Sequence, residues 1–324
     1  MITTNNGSFP WRGTALGEAL ERALLAAPLG ATSEEARGLR DRLARQAIDE
    51  QVRAGCDLVT DGLVRRDDPV GPIIGGLSGL APGESRPGFP AGGGFYRVPS
   101  VRGEIAWKAP ILAEDYLFAS AGTQVPVKVV LTGPYTLAAI AEDHAYGEPR
   151  ALSMALATAL NQELRALQAA GARFVQIDEP SILKSPEDFP IFTRVWEVLG
   201  RGVQITLALH LEGGALGDLY PGLTHLKRLG CLSVDCATHP DNLQVVGRFP
   251  LPDGVLLGLG LVSGERPEVE SAEDLAAIVR AASGLPPHDR LLLGTGTDLG
   301  RLPSGTAAAK LASLAAARRR LESA

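Results

Sequence analysis

The chain has 324 residues, 45% of them apolar and only 5% aromatic, with a net charge of −6 from 31 basic and 37 acidic side chains. That length suits a single α/β barrel of about 250 residues with insertions and supplies a large core. No basic stripe interleaves with aromatics, so no nucleic acid partner is expected, and no run approaches the roughly 20 apolar residues that cross a bilayer. The opening MITTNNGSFPW has no basic region followed by an apolar run, so no secretory signal is expected either. Cys56, Cys231 and Cys236 lack CxxC spacing, which fits a reducing cytoplasm. The basic run Arg318 to Arg320 reads as the solvated end of a last helix.

Met1 to Asn5 is β-capable and is broken by Gly7-Ser8-Phe9-Pro10. A helix is predicted from about Ser33 to Ala54, with Thr32 and Glu35 at capping-box spacing and Leu39, Leu43, Ile48 and Val52 along one face. Asp57 to Thr60 is the next β run. From Asp67 to Pro99 the chain is dense in glycine and proline, including Gly71, Gly75, Gly76, Pro82, Pro87, Pro90 and Gly92 to Gly94. That is too long for a plain connection and reads as an insertion or lid after the second strand, over one barrel mouth.

VKVVL, residues 127–131, is a clean strand ending in Thr132-Gly133-Pro134. An amphipathic helix is predicted over Ser153 to Ala170, with Leu156, Leu160, Leu164 and Leu167 on one face. Four more β runs follow the strand that ends at Asp178: Gln204 to Leu209, Cys231 to Val234, Val255 to Leu261 and Leu291 to Leu293. A helix from about Ser304 to Leu321 closes the chain. Eight β runs alternating with helices, and no early GxGxxG, predict one (β/α)8 TIM barrel spanning 1–324. Ser8, Asp61, Thr132, Asp178, His210, Asp235 and Thr297 each stand at or just past a β run, so one face would carry them all.

ARFVQIDEPSIL, residues 172–183, is the most pointed of these stretches. Its apolar run stops at Asp178, Glu179 and Pro180, which places two acids at the carboxyl end of a strand, where barrels do their chemistry. The alternative is an acid pair that caps a helix or answers a buried arginine.

TTNNGSFP, VKVVLTGPYTLA, LQAAGARFVQIDEPSI, LGLGLVSGERPEVES and LLLGTGTDLGRLP together resemble the catalytic barrel of cobalamin-independent methionine synthases. The resemblance implies a methyltransferase that binds a homocysteine-like thiol or amino acid. It implies that Gly7 and Ser8 hold the substrate carboxylate and that Asp178 takes the amino group, with Thr132 and Glu179 beside them. A further family acid falls on Leu63, and Asp61 stands close enough to replace it. The family's zinc ligands map to His210, Glu212, Asp235 and Thr297, so both thiolates are lost. His210, Glu212 and Asp235 would form an oxygen-rich set for zinc or another divalent metal. The other reading is a metal-free pocket in which His210, Asp178 and Asp235 act as acid and base. The methyl donor is expected to be methylfolate or a corrinoid, with a methyl-carrier protein as a further partner. The alternatives are a divergent lyase or hydrolase on the same barrel, or a non-catalytic ligand-binding homologue.

Overall fold

A computed structural model describes residues 1–26, 33–88 and 95–323. Seven parallel strands form one curled sheet: Ile2–Thr3, Val129–Thr132, Phe174–Asp178, Thr206–Leu211, Leu229–Asp235, Leu256–Val262 and Leu291–Thr295. In space Ile2–Thr3 pairs with the last strand, and the order then runs back through the sequence to Val129–Thr132. These two edge strands are joined through residues 58 and 59, which bridge Thr4 to Leu58 and Val59 to Val127. The run expected from Asp57 to Thr60 therefore supplies the eighth position as two single bridges instead of a full strand. The result is a (β/α)8 barrel, with the strands buried on both faces by helices outside and side chains within.

The helices follow from local signals. Ser33 caps Glu34–Ala54 by accepting from the Ala36 amide at 3.1 Å, and Gly55 ends that helix at φ 94. Thr32, the expected cap, lies outside the described residues. Pro149–Ala169 starts on a proline and buries Leu152, Leu156, Leu160, Leu164 and Leu167. In Ser304–Glu322 the basic end is not simply solvated. Arg318 bonds Asp57, and Arg320 lies 3.3 Å from Glu273. Among the described residues no helix is long and apolar enough to cross a membrane.

The glycine- and proline-rich stretch builds a short helix, Gly71–Gly76, and a long antiparallel hairpin, Leu77–Pro87 with Phe95–Trp107. Pro90 and Gly92 to Gly94 lie outside the described residues. Leu77–Pro87 is the edge of its three-stranded sheet, which is where Pro82 and Pro87 are tolerated. The base of the hairpin is fastened to Pro149–Ala169 by one buried side chain. Glu163 accepts from Trp107 Nε1 at 2.9 Å and from the amides of Ile111 and Leu112 at 2.8 and 2.9 Å. Glu163→Ala is expected to lower stability by about 2–3 kcal/mol in chemical denaturation, since it strands three donors. A loss below about 0.5 kcal/mol would show that water replaces the carboxylate there.

Candidate active site

The strand register assembles the site. Thr132 is aligned with Asp178, Asp178 with His210, and His210 with Ser233, so four neighbouring strands contribute one row of polar residues. Asp178 ends its strand as expected, whereas His210, expected just past a strand end, lies within Thr206–Leu211. In-register neighbours of a parallel sheet share a face, which turns this row into the barrel.

His210 is 1% exposed, with Nδ1 3.0 Å from Ser233 Oγ and Nε2 3.8 Å from Glu212 Oε2. Burial lowers the pKa of the imidazole. Burial, reinforced by Asp298, Asp235 and Glu265, holds the Glu212 carboxyl well above the usual carboxylate range. Both shifts run toward the neutral form of each group. Asp178 is pushed up to about 7, chiefly by burial, with His210 opposing and Glu212 adding to the shift. Its Oδ1 accepts from Gln176 Nε2 at 2.8 Å.

Glu179 does something else. It receives the amides of Tyr135 at 3.0 Å and Thr136 at 2.7 Å, so it caps the helix Pro134–Ile140. A Cβ on Gly133 would lie 2.2 Å from the Glu179 carboxyl carbon, so only glycine allows the approach. The LTGPYT and QIDEP segments are thus two halves of one device, with Glu179 filling the helix end and Asp178 left facing the mouth.

The remaining predicted residues sit apart from this pair or are already engaged. Ser8 Oγ donates to Asp298 Oδ1 at 2.5 Å, and the Gly300 amide binds the same oxygen. Gly7 directs its amide to Asn5 Oδ1 at 3.4 Å. Thr132 Oγ1 donates to the Pro69 carbonyl at 3.3 Å. Asp61 accepts from the amide of Leu63, which has φ 56, and shares a small cavity with Arg66, Asp115 and Lys128. Asp235 is spent on its own turn: Oδ1 takes the Ala237 and Thr238 amides at 3.0 Å each, and Oδ2 takes the Thr238 hydroxyl. Thr297 Oγ1 accepts from the Gly264 amide at 2.8 Å. Sequence reasoning passes over Asp298, Ser233, Asn6 and Lys128. Asp298 is adjacent to Thr297 in GTGTDLG and was legible as a strand-end acid, while the other three acquire meaning only from strand register.

These commitments bear on zinc. Both Asp235 oxygens and the Thr297 hydroxyl are occupied, and among the described residues no three His, Cys, Asp or Glu side chains converge to hold a metal. No thiolate is offered in exchange. Cys56, Cys231 and Cys236 are free and buried, and burial pushes each thiol up to about 12. As arranged, the residues do not fit a thiolate-type zinc site. Two larger hollows, of about 800 and 1120 Å³, contain neither His210 nor Asp178.

The profile of the cobalamin-independent synthase catalytic domain matches residues 1–318. The chain belongs to that family. Its relatives include proteins named methionine synthase from Saccharolobus solfataricus, 28% identical over 82% of this chain and 79% of that one, and from Sulfolobus acidocaldarius, 31% identical over 72% and 67%. The fold is similar to that of a B12-independent methionine synthase from Shewanella sp. W3-18-1, solved in complex with selenomethionine. That structure has a TM-score of 0.82 at 22% identity, covering 99% of this chain and 97% of that one. A methyltransferase from Methanosarcina mazei has a TM-score of 0.62 at 18% identity, covering 98% and 94%. Family membership makes this an enzyme barrel.

Proposed function

We propose that this chain is a methyltransferase whose acceptor is a small amino thiol of the homocysteine type, held with its ammonium on Asp178 and its sulfur beside His210 and Glu212. The observation that carries the reading is the alignment of Asp178 with His210, which sets an acid for the amine next to two neutral groups. A free thiol has a pKa of about 8.5 and reacts as thiolate. An imidazole N–H and a carboxylic acid O–H stabilise a thiolate by charge-assisted hydrogen bonds in a place that water reaches poorly. The thiol proton goes to solvent, the sulfur lone pair forms the new C–S bond, and the donor leaves with the electrons of its broken bond to methyl. Juxtaposition of donor and acceptor supplies the rest of the rate. The donor is a methylfolate, a corrinoid or a methyl-carrier protein, and the reaction belongs in the cytoplasm.

Homocysteine with methyltetrahydrofolate or methylcobalamin, with and without chelator, tests the reading by mass spectrometry of the product. Methionine formed equally in both conditions is the expected result. No product with either donor overturns the activity. Product lost on chelation and restored by zinc overturns thiolate binding by hydrogen bonds alone.

The engagement of Ser8 by Asp298 adds a second expectation. With those donors taken, the acceptor carboxylate contributes little, so 3-aminopropane-1-thiol is expected to match homocysteine within about tenfold in kcat/KM. A loss of about 1000-fold would mean that Asp298 yields Ser8 to the substrate.

A further inference from the structure

Behind the row of site residues lies a second polar layer whose contacts all meet at Asn6, which is 5% exposed. Lys128 Nζ donates to Asn6 Oδ1 at 2.7 Å. Asn6 Nδ2 donates to the Thr295 carbonyl at 2.8 Å and to Ser233 Oγ at 3.1 Å. The Asn6 backbone amide donates to Thr295 Oγ1 at 3.0 Å, and the Asn6 carbonyl accepts from Gln176 Nε2, which also binds Asp178. Four other strands or their ends thus hold one residue, three of them through its side-chain amide.

The orientation of that amide is forced. A carbonyl accepts and never donates, so the group facing Thr295 O is the NH2, and the oxygen faces Lys128. Ser233 Oγ therefore receives a hydrogen bond from Asn6. Its own proton then has one partner at bonding distance among the described contacts, His210 Nδ1 at 3.0 Å. If the imidazole carried its proton on Nδ1 instead, the Ser233 carbonyl, which also faces the ring, would favour it. The cost would be a buried Ser233 hydroxyl without an acceptor, and an unmade bond of that kind is worth about tenfold or more in a two-state ratio.

We propose that Asn6 is a positioning residue that fixes His210 with Nδ1 as acceptor and its Nε2–H directed at the mouth. The use of that N–H toward a thiolate rests on the methyltransferase reading, whereas the tautomer itself does not. A metal on Nε2 would require the Ser233 hydroxyl to turn round, against Asn6.

The test is a two-bond proton–nitrogen correlation spectrum of the full chain labelled with 15N-histidine, at pH 8, with His210→Gln to pick its signals from the five histidines. The expected wild-type spectrum shows a pyridine-like Nδ1 and a pyrrole-like Nε2 in a ratio of about tenfold or more. Asn6→Asp offers Ser233 an acceptor in place of a donor, so the hydroxyl reverses and the imidazole proton moves to Nδ1. Ser233→Ala leaves the Ser233-position carbonyl alone on that side and gives the same shift, which keeps the test alive if the aspartate variant does not fold. A wild-type proton already on Nδ1, or spectra unchanged in the folded variants, overturns the proposal. A chain inactive on every thiol with the expected spectrum would sink only the methyltransferase reading.

Discussion

Replacing Asp178 with asparagine is expected to lower kcat/KM for the amino thiol by about 100-fold or more, the cost of removing one partner of a desolvated charge pair. The same change should stabilise the protein at pH 8. The folded carboxyl keeps its proton up to about 7, against an ordinary 3.8 in the unfolded chain, mainly because it is buried. The unfolded chain therefore releases its proton first, and Asp178 costs stability progressively as pH rises from about 4 to 7. Three units correspond to about 4 kcal/mol at most, and the partial exposure of Asp178 at the mouth reduces this to on the order of 2 kcal/mol. The mutant should thus gain about 2 kcal/mol at pH 8 and almost nothing at pH 4, in chemical denaturation at both pH values. Ionised Asp178 is the form that holds an ammonium, so wild-type kcat/KM should climb steeply below about 7, where Asp178 and the thiol both lose protons, and more gently from there toward the thiol's own pKa of about 8.5. A flat profile between pH 5 and 8, or equal stability of mutant and wild type at pH 8, would remove Asp178 from the role of amine anchor.

Glu179→Ala is expected to destabilise the fold by about 2–3 kcal/mol, the cost of leaving two buried N–H donors without an acceptor and a helix without its cap. Two buried amides, those of Tyr135 and Thr136, lose a carboxylate acceptor, and the first turn of Pro134–Ile140 loses its cap. Glu179→Gln should recover only part of this, because its NH2 must face one of the two N–H donors. Gly133→Ala should resemble Glu179→Ala, since the added methyl drives the carboxylate out. A denaturation midpoint within about 0.5 kcal/mol of wild type for Glu179→Ala would assign the acid pair's second member to ligand binding after all.

The barrel and the ends of its strands were legible because they depend on short-range signals. Apolar runs broken by acids mark strand ends at Asp178 and Asp235, and Ser33 and Gly55 delimit a helix within a few residues of the expected bounds. What escaped the sequence depends on partners far along the chain. Glu179 reads as a twin of Asp178 until the amides more than 40 residues earlier are in view. Asn6 and Ser233 look ordinary, and their contact spans 227 positions. The hairpin was hidden because glycine and proline argue against strands in general, while an edge strand accepts proline on its unpaired side. Leu58 and Val59 have the apolar look of a strand, although only two bridges pass through them.

Those two bridges also set where the barrel gives way first. Most other seams have four or five aligned pairs and that of Ile2–Thr3 has two, but the joint between Thr4 and Val127 has a single bridge on either side, at Leu58 and Val59. Amide protons around this joint should exchange with deuterium through partial opening, well before those of Thr206–Leu211 or Leu256–Val262, which exchange only as the whole molecule unfolds. The chain leaving the joint on one side leads to Asn6 and Ser8, and on the other to Lys128. Breathing at that one place would loosen the layer behind His210 while Asp178 and its clamp on the neighbouring helix stay closed.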